Sequence, residues 1–279
     1  MPEQQDIETA RARRVEVMGG VELLTARYVR HRFSRHYHHR YALGCIEAGA
    51  MRFRYLGASH VASAGTVNLV VPGEAHDGCA AVEAGWRYRM LYLSPDALAE
   101  AEQNLGNRGL PYFRAGVIED SALAAHVRAV HLALEDDAAS MLEKRSRLLM
   151  LLTHWVHRHA EGRLSWPSTR PEPGAVALVR EIIHAHFGED ILLDDLAQAA
   201  GLSPFHLLRV FQRQTGLTPH AYLTQVRMQK AKDLIAGDGR IADAAHEVGL
   251  ADQSHLTRLF KQRYGLTPAA YRKILQNKA

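Results

Sequence analysis

FHLLRVFQRQTGLTPHAY, residues 205–222, and SHLTRLFKQRYGLTPAAY, residues 254–271, are two versions of one segment. At an offset of 49, ten of the eighteen positions are identical: His206/His255, Leu207/Leu256, Arg209/Arg258, Phe211/Phe260, Gly216/Gly265, Leu217/Leu266, Thr218/Thr267, Pro219/Pro268, Ala221/Ala270 and Tyr222/Tyr271. Repetition at a fixed period marks a duplicated structural unit. Two copies are too few for a solenoid, so the unit must be read from its own chemistry.

Each copy is preceded by a short run with helical spacing, Leu193, Leu196, Ala197 and Ala200 in the first and Ile241, Ala244, Ala245 and Val248 in the second. A glycine then stops each run, Gly201 or Gly249, where a reversing chain favours positive φ. Ala197 and Ala245 lie four residues before those glycines and are small enough to let two helices cross closely. Ser203 and Asp252 align as N-caps, and Pro204 sits at a first helical position, where its missing N–H costs little. Leu207, Val210 and Phe211 predict the buried face of the next helix in copy one, and Leu256, Leu259 and Phe260 that in copy two. Gly216 and Gly265 end these helices, and Thr-Pro restarts the chain at 218–219 and 267–268. The pattern is helix, glycine turn, helix, the unit whose second helix enters a DNA major groove. An ordinary pair of αα-hairpins is the alternative; the same turn and cap written twice favours DNA.

Charge agrees. Residues 200–279 hold 12 Lys+Arg against 5 Asp+Glu, a net of +7, whereas residues 1–199 hold 22 against 25, a net of −3. The +4 of the whole chain hides a basic C-terminal part suited to phosphates. With the buried faces above, Phe205, Leu208 and Arg209 are expected to point outward from the first recognition helix. Gln253, Ser254, Thr257 and Arg258 are expected to do so from the second. Arg to guanine and Gln to adenine are the common bidentate pairings, while Phe205 and Leu208 could touch only thymine methyls or sugars. Arg213, Lys261 and Arg263 read as phosphate clamps, and an intrachain ion pair is the competing reading for Arg209 and Arg258.

The stretches GLSPFHLLRVFQRQTGLTPHAYL (201–223), IADAA (241–245) and VGLADQSHLTRLFKQRYGLTPAAYR (248–272) are similar to the DNA-binding domain of AraC/XylS-type bacterial transcription regulators. That resemblance covers about residues 175–275. It implies two helix-turn-helix units joined by a rigid helix, here about Pro219–Ala236 and closed by Gly237-Asp238-Gly239. Such a domain reads two successive major grooves about 10 bp apart.

The first half is written differently. Met51, Phe53 and Tyr55 alternate with Arg52 and Arg54, and Trp86, Tyr88, Met90 and Tyr92 alternate with Arg87 and Arg89. Thr66–Val71 is an apolar run followed by Pro72-Gly73, and glycines punctuate the segment at 44, 49, 57, 65, 73, 78 and 85. Short strands at such spacing predict an antiparallel sandwich or barrel. HRFSRHYHHRYALGCIEAG (31–49) and AGTVNLVVPGEAHDG (64–78) resemble, more loosely, the cupin-like effector-binding domain of the same family. The expected architecture is therefore multidomain α+β. A cupin-like antiparallel barrel (about 10–110) and dimerisation helices (about 119–160) fill residues 1–160. A Pro/Gly-rich linker follows at 161–174, and an all-α tandem helix-turn-helix domain at 175–279.

His36, His38 and His76 invite a metal reading, with Cys79 as a fourth ligand for zinc. Metal cupins follow His-x-His with a Glu; here His39-Arg40-Tyr41-Ala42-Leu43 follows His38. The reading is therefore no metal and no cofactor, with these histidines, Tyr41 and Trp86 lining an effector pocket. Met141, Leu142, Leu148, Leu149, Leu151, Leu152, Trp155 and Val156 make a helix more apolar than one seam requires, which predicts homodimerisation through residues 119–160; the alternative is that these helices only cover the barrel.

No stretch approaches the ~20 apolar residues of a membrane span, and the first residues lack an apolar signal core. The two cysteines, Cys45 and Cys79, have no CxxC spacing, which fits a reducing bacterial cytoplasm. The leading reading is a non-enzymatic transcription regulator with no catalytic residues. Its expected partners are double-stranded DNA, a small-molecule effector, a second copy of the chain and, for an activator, RNA polymerase. The alternatives are a metal-dependent cupin enzyme fused to a DNA-binding domain, an alkyl-repair methyltransferase, which needs an activated thiol, and a DNA-binding protein with a purely structural barrel.

Overall fold

The computed structural model describes residues 8–105, 110–161, 172–237, 239–264 and 266–276. The fold is multidomain α+β and divides into two compact units, residues 1–136 with 147–167, and residues 137–146 with 168–279. Of the expected linker, 161–174, residues 162–171 lie outside the described residues, as do Asp238 and Gly265, and its last two residues already belong to a helix.

The first unit is built from antiparallel strands. They are β1 (Thr9–Val15), β2 (Val21–Tyr28), β3 (Arg32–His36), β4 (Tyr41–Tyr55), β5 (Ala58–Ser63), β6 (Val67–Val70), β7 (His76–Ala80), β8 (Trp86–Leu93) and the short β9 (Val117–Ile118). The order β1-β2-β8-β4-β6-β9 forms one sheet path, while β5 and β7 pair with β4, and β3 pairs with β7. β4 is long enough to serve both groups. Its first half pairs with β6 and β8, and its second with β5 and β7. The change comes at a register shift between Ile46 and Ala48, followed by Gly49 at φ 69°. Gly49 has no alternative, because an added Cβ would collide with the Gly85 carbonyl.

Ser94 accepts from the Ala97 N–H and Pro95 occupies the first turn, which starts α1 (Pro95–Asn104). This helix replaces the end of the expected barrel. Asp120 caps α2 (Ser121–Glu135), and α3 runs over Met141–His159. Leu148, Leu149, Leu151, Leu152, Trp155 and Val156 are all buried, and Trp155 stacks on Phe113 at 4.3 Å. The leucine-rich stretch thus serves the interior of this chain rather than an exposed face.

The second unit is helical: α4 (Pro173–Ala185), α5 (Leu193–Ala199), α6 (Pro204–Thr215), α7 (Pro219–Ala236), α8 (Ile241–Glu247), α9 (Gln253–Tyr264) and α10 (Pro268–Gln276). The two turns repeat bond for bond. Leu202 N–H donates to the Ala197 carbonyl and Leu250 N–H to the Ala245 carbonyl, both at 2.9 Å. Gly201 N–H donates to Gln198 at 3.0 Å and Gly249 N–H to His246 at 2.9 Å. These bonds close each first helix around a left-handed glycine. Ser203 and Asp252 then accept from the His206 and His255 N–H groups and open the second helices. Phe211 meets Tyr222 at 5.5 Å, and Phe260 meets Tyr271 at 5.6 Å, so the repeated aromatics make the same contact twice. α7 has the predicted bounds. Met228, Ala231 and Ile235 on its later half enter a core with Ala244, Ala245, Val248, Leu250, Leu256 and Phe260.

Candidate functional site

The two recognition helices, α6 and α9, expose different amounts of surface. On α9, Gln253, Ser254, Arg258, Lys261, Gln262 and Arg263 are exposed and Thr257 is half-buried. Only Leu256 and Phe260 are fully buried there. The outward side predicted for α9 is thus the outward side found.

On α6 the expectation fails for two residues. Phe205 and Leu208 are 1% and 0% exposed, so neither can face a DNA groove. With Leu207, Val210 and Phe211 they cover more than half of the helix circumference at about 100° per residue. The cause is tertiary: α4, α5 and α7 all pack against α6, whereas the sequence suggested one seam. What remains is a polar stripe of His206, Arg209 and Arg213, at i, i+3 and i+7, beside Gln212 and Gln214. Arg209 is half-buried with its guanidinium 5.7 Å from the Phe205 ring centre. Burial, and then the neighbouring Arg213, lower its pKa. Gln212 was passed over in the sequence, although the offset of 49 aligns it with Lys261.

In the first unit, register defines an inner face. Gly44 lies opposite both Met90 and Asn68, Ile46 opposite Tyr88, and Tyr28 opposite Trp86. Residues directly opposite share a face, so Asn68, Trp86, Tyr88, Met90 and Tyr92 point one way. β3 closes over them: Phe33 lies 5.3 Å from Tyr28, 6.5 Å from Trp86 and 6.2 Å from His36. His36 and His38 meet His76 at 4.3 and 4.8 Å, and His38 meets Tyr92 at 5.6 Å. The structure therefore places His38, His76 and Trp86 along one face with Phe33, Asn68, Tyr88 and Tyr92, and puts His36 at its exposed edge. The alternation of residues 86–92, with Trp86 inward, was visible in the sequence; the neighbours that this face meets across β3, β4 and β7 were not.

Tyr41 does not belong to this lining. It packs against Phe113 and Trp155, and its hydroxyl donates to the Pro111 carbonyl at 2.8 Å. Strand parity separates it, since Tyr41 and Leu43 point opposite to Ala42 and Gly44.

The lining is poor in charge. Burial lowers the His38 pKa and lowers that of His76 to about 4, so both are neutral at pH 7. Burial also raises the Tyr92 hydroxyl to about 12. Nδ1 of His36, His38 and His76 lies 2.8, 2.6 and 3.1 Å from the carbonyls of Ser34, Arg40 and Glu74. Three buried polar atoms, His38 Nε2, Asn68 Oδ1 and Trp86 Nε1, have no hydrogen-bond partner among the described residues.

Cys79 sits three residues beyond His76 on β7, hence on the opposite face, paired across to Arg32 and Arg52. Among the described residues, no group of three His, Cys, Asp or Glu side chains is arranged to hold a metal ion. Cys45 is buried and its thiol is pushed up to about 11, unlike an activated nucleophile.

The outer face of β8 carries Arg89. It reaches Glu47 at 3.0 Å, Thr25 at 3.2 Å and, on α2, Glu135 at 2.9 Å. Glu47 also holds Arg128 of α2 at 2.9 Å. One strand thus presents Tyr88 and Met90 to the lining and Arg89 to a helix.

Two family descriptions match: an AraC-like ligand binding domain over residues 18–152 and a helix-turn-helix domain over residues 196–274. The HTH-type transcriptional regulator YbfI of Bacillus subtilis (strain 168) is 31% identical over 237 residues, covering 84% of this chain and 85% of that protein. The chain belongs to the AraC family of transcriptional regulators. The AraC-family transcriptional activator RhaS of Salmonella schwarzengrund is 26% identical over 80% of this chain and 81% of its own length. The bifunctional transcriptional activator/DNA repair enzyme AdaA of Bacillus subtilis is 37% identical, but over 83 residues and 39% of its length. This AraC-family chain is thus a DNA-binding transcriptional regulator. Among the described residues no helix is long and apolar enough to cross a membrane.

Proposed function

We propose that a small molecule bound in the lining of the first unit controls promoter binding by the second. The observation that carries this is that His38 Nε2, Asn68 Oδ1 and Trp86 Nε1 are buried and unpaired along one aromatic-lined face of the sheet. Leaving such atoms unpaired costs about 1–3 kcal/mol each, and a ligand that bonds them recovers that cost. With burial holding His38 and His76 below the usual imidazole range and no inward carboxylate among these groups, the fitting effector is an uncharged molecule carrying both donors and acceptors. Trp86 supplies the readout. A library screened by thermal shift, then by tryptophan fluorescence, should yield a ligand whose signal and affinity fall in Asn68→Ala. Compounds that stabilise wild type and Asn68→Ala equally would count against the site.

On the DNA side, Gln253, Ser254, Thr257 and Arg258 of α9, with Arg209 of α6, are proposed to meet base edges. Arg213 and Lys261 are proposed to hold phosphates. An effector changes DNA binding only by favouring one of two states, and the Arg89 bridge from β8 to α2 is the contact through which it would do so. Homodimerisation through residues 119–160 stays part of the proposal on family grounds. It does not rest on a leucine face, because those leucines are buried and Leu132 is the large apolar residue of α2 that is exposed. Light scattering on residues 1–165 tests it. Action in a bacterial cytoplasm on nucleoid DNA, and contact with RNA polymerase if the output is activation, complete the reading.

A further inference from the structure

The loop after α4 is built into the second helix-turn-helix unit. The Phe187 side chain packs against the core formed by Met228, Ala231, Ile235, Leu256 and Phe260. The Gly188 carbonyl lies 2.5 Å from where a Cβ on Gly249, the turn glycine of the second copy, would stand. A Cβ on Gly188 would in turn meet the Glu247 carbonyl at 2.8 Å. Backbone meets backbone here, with no side chain between. One side chain holds the loop in place: Arg227 of α7 donates from Nε to the Phe187 carbonyl and from Nη2 to the Glu189 carbonyl, both at 2.7 Å. Arg227 is 7% exposed. A buried guanidinium is costly unless well bonded, and an apolar side chain would fill the space more cheaply. What the arginine adds is direction. Its planar fork fixes two carbonyls of one loop at once.

We propose that Arg227 is a positioning residue for DNA recognition. By clamping the α4–α5 loop against the second turn, it fixes the phase between recognition helices α6 and α9. α4 and α5 both pack on α6, so the clamped loop joins the scaffold of the first reader to that of the second. α7 alone also joins them, through Tyr222 on the first side and Met228 on the other. Beside that helix the clamp supplies a second, off-axis tie. Rigid phasing matters because two grooves about 10 bp apart must be met together.

The test uses the full chain and a duplex enriched by that chain from a random 30-bp library, together with the same duplex lengthened by 5 bp between its two protected segments. Wild type should lose on the order of tenfold or more in affinity across the insertion, since one groove moves half a turn away. Arg227→Met should bind the original duplex more weakly, and its insertion penalty should shrink to about threefold or less, with the salt dependence of non-specific binding unchanged. A merely structural role would lower both affinities in parallel. Arg227→Met with the wild-type insertion penalty overturns the proposal. If far-UV circular dichroism shows that Arg227→Met has lost helix, the same ratio is read on Arg227→Gln. There a reduced penalty supports the clamp and an undiminished one refutes it.

Discussion

Replacing each turn glycine by alanine separates two reasons for having glycine. Gly201 and Gly249 end equivalent helices at φ 64° and 70°, so alanine meets the same left-handed strain at both, about 1 kcal/mol. At Gly201 nothing lies within 4 Å of the added Cβ. There the strain is partly offset by the stiffer unfolded chain, worth about 0.4–1 kcal/mol, and the net loss should stay near or below 1 kcal/mol. At Gly249 the Cβ would sit 2.5 Å from the Gly188 carbonyl and 2.8 Å from Arg227 Nη2. Neither neighbour can retreat cheaply, since one is backbone and the other is bonded to two carbonyls. Overpacking adds about 1–3 kcal/mol, and weakening a charged hydrogen bond adds about 1.5 kcal/mol or more. The expected loss for Gly249→Ala is about 3–5 kcal/mol, several times that of Gly201→Ala. Urea unfolding followed at 222 nm, with the transition of the helical unit fitted separately, measures both. Equal losses would refute the close-approach argument and leave positive φ as the whole reason for Gly249.

Three further outcomes are expected. Arg258→Ala should weaken binding to the enriched duplex by about 1–3 kcal/mol while urea stability stays within about 0.5 kcal/mol; a gel-shift titration with unchanged affinity contradicts the assignment. Phe205→Ala should cost about 3–5 kcal/mol of stability because the ring is buried, yet leave the salt slope of DNA binding intact in the folded fraction; an unaltered midpoint with lost affinity would restore a groove-facing role. Burial lowers the His76 pKa from 6.5 to about 4, so between those values the unfolded chain binds a proton that the folded one refuses. Stability is therefore fully present above pH 6.5 and declines as pH falls toward 4. Melting temperatures between pH 7.5 and 5 should show a shallower decline in His76→Gln, and identical slopes would remove His76 from the buried lining.

The recognition-helix error has a specific origin. Helical spacing correctly placed Leu207, Val210 and Phe211 inside, but periodicity reports one buried stripe and not how many neighbours a helix has. Three helices surround α6, and so Phe205 and Leu208 are covered as well. The barrel shows the same limit. The alternation at residues 86–92 was plain, while the assignment of Tyr41 outward toward Trp155 needed the register of β4 against β8.

The two copies and the short runs before them determined two turns and their caps, because glycine at positive φ, Ser or Asp at an N-cap and Pro in a first turn act through bonds a few residues long, while the bounds of the connecting helix came with the family resemblance. The duplication also marked where the copies agree: Leu207/Leu256, Phe211/Phe260 and Tyr222/Tyr271 are scaffold contacts made twice. The tertiary structure decided the rest. Identity between copies mostly records packing, although Arg209 and Arg258 are identical without being buried, and other exposed positions differ, Gln212 against Lys261 and Arg213 against Gln262. Which side faces solvent, which histidines converge and which loop Arg227 holds all depend on segments far apart in sequence, and no local pattern encodes their approach.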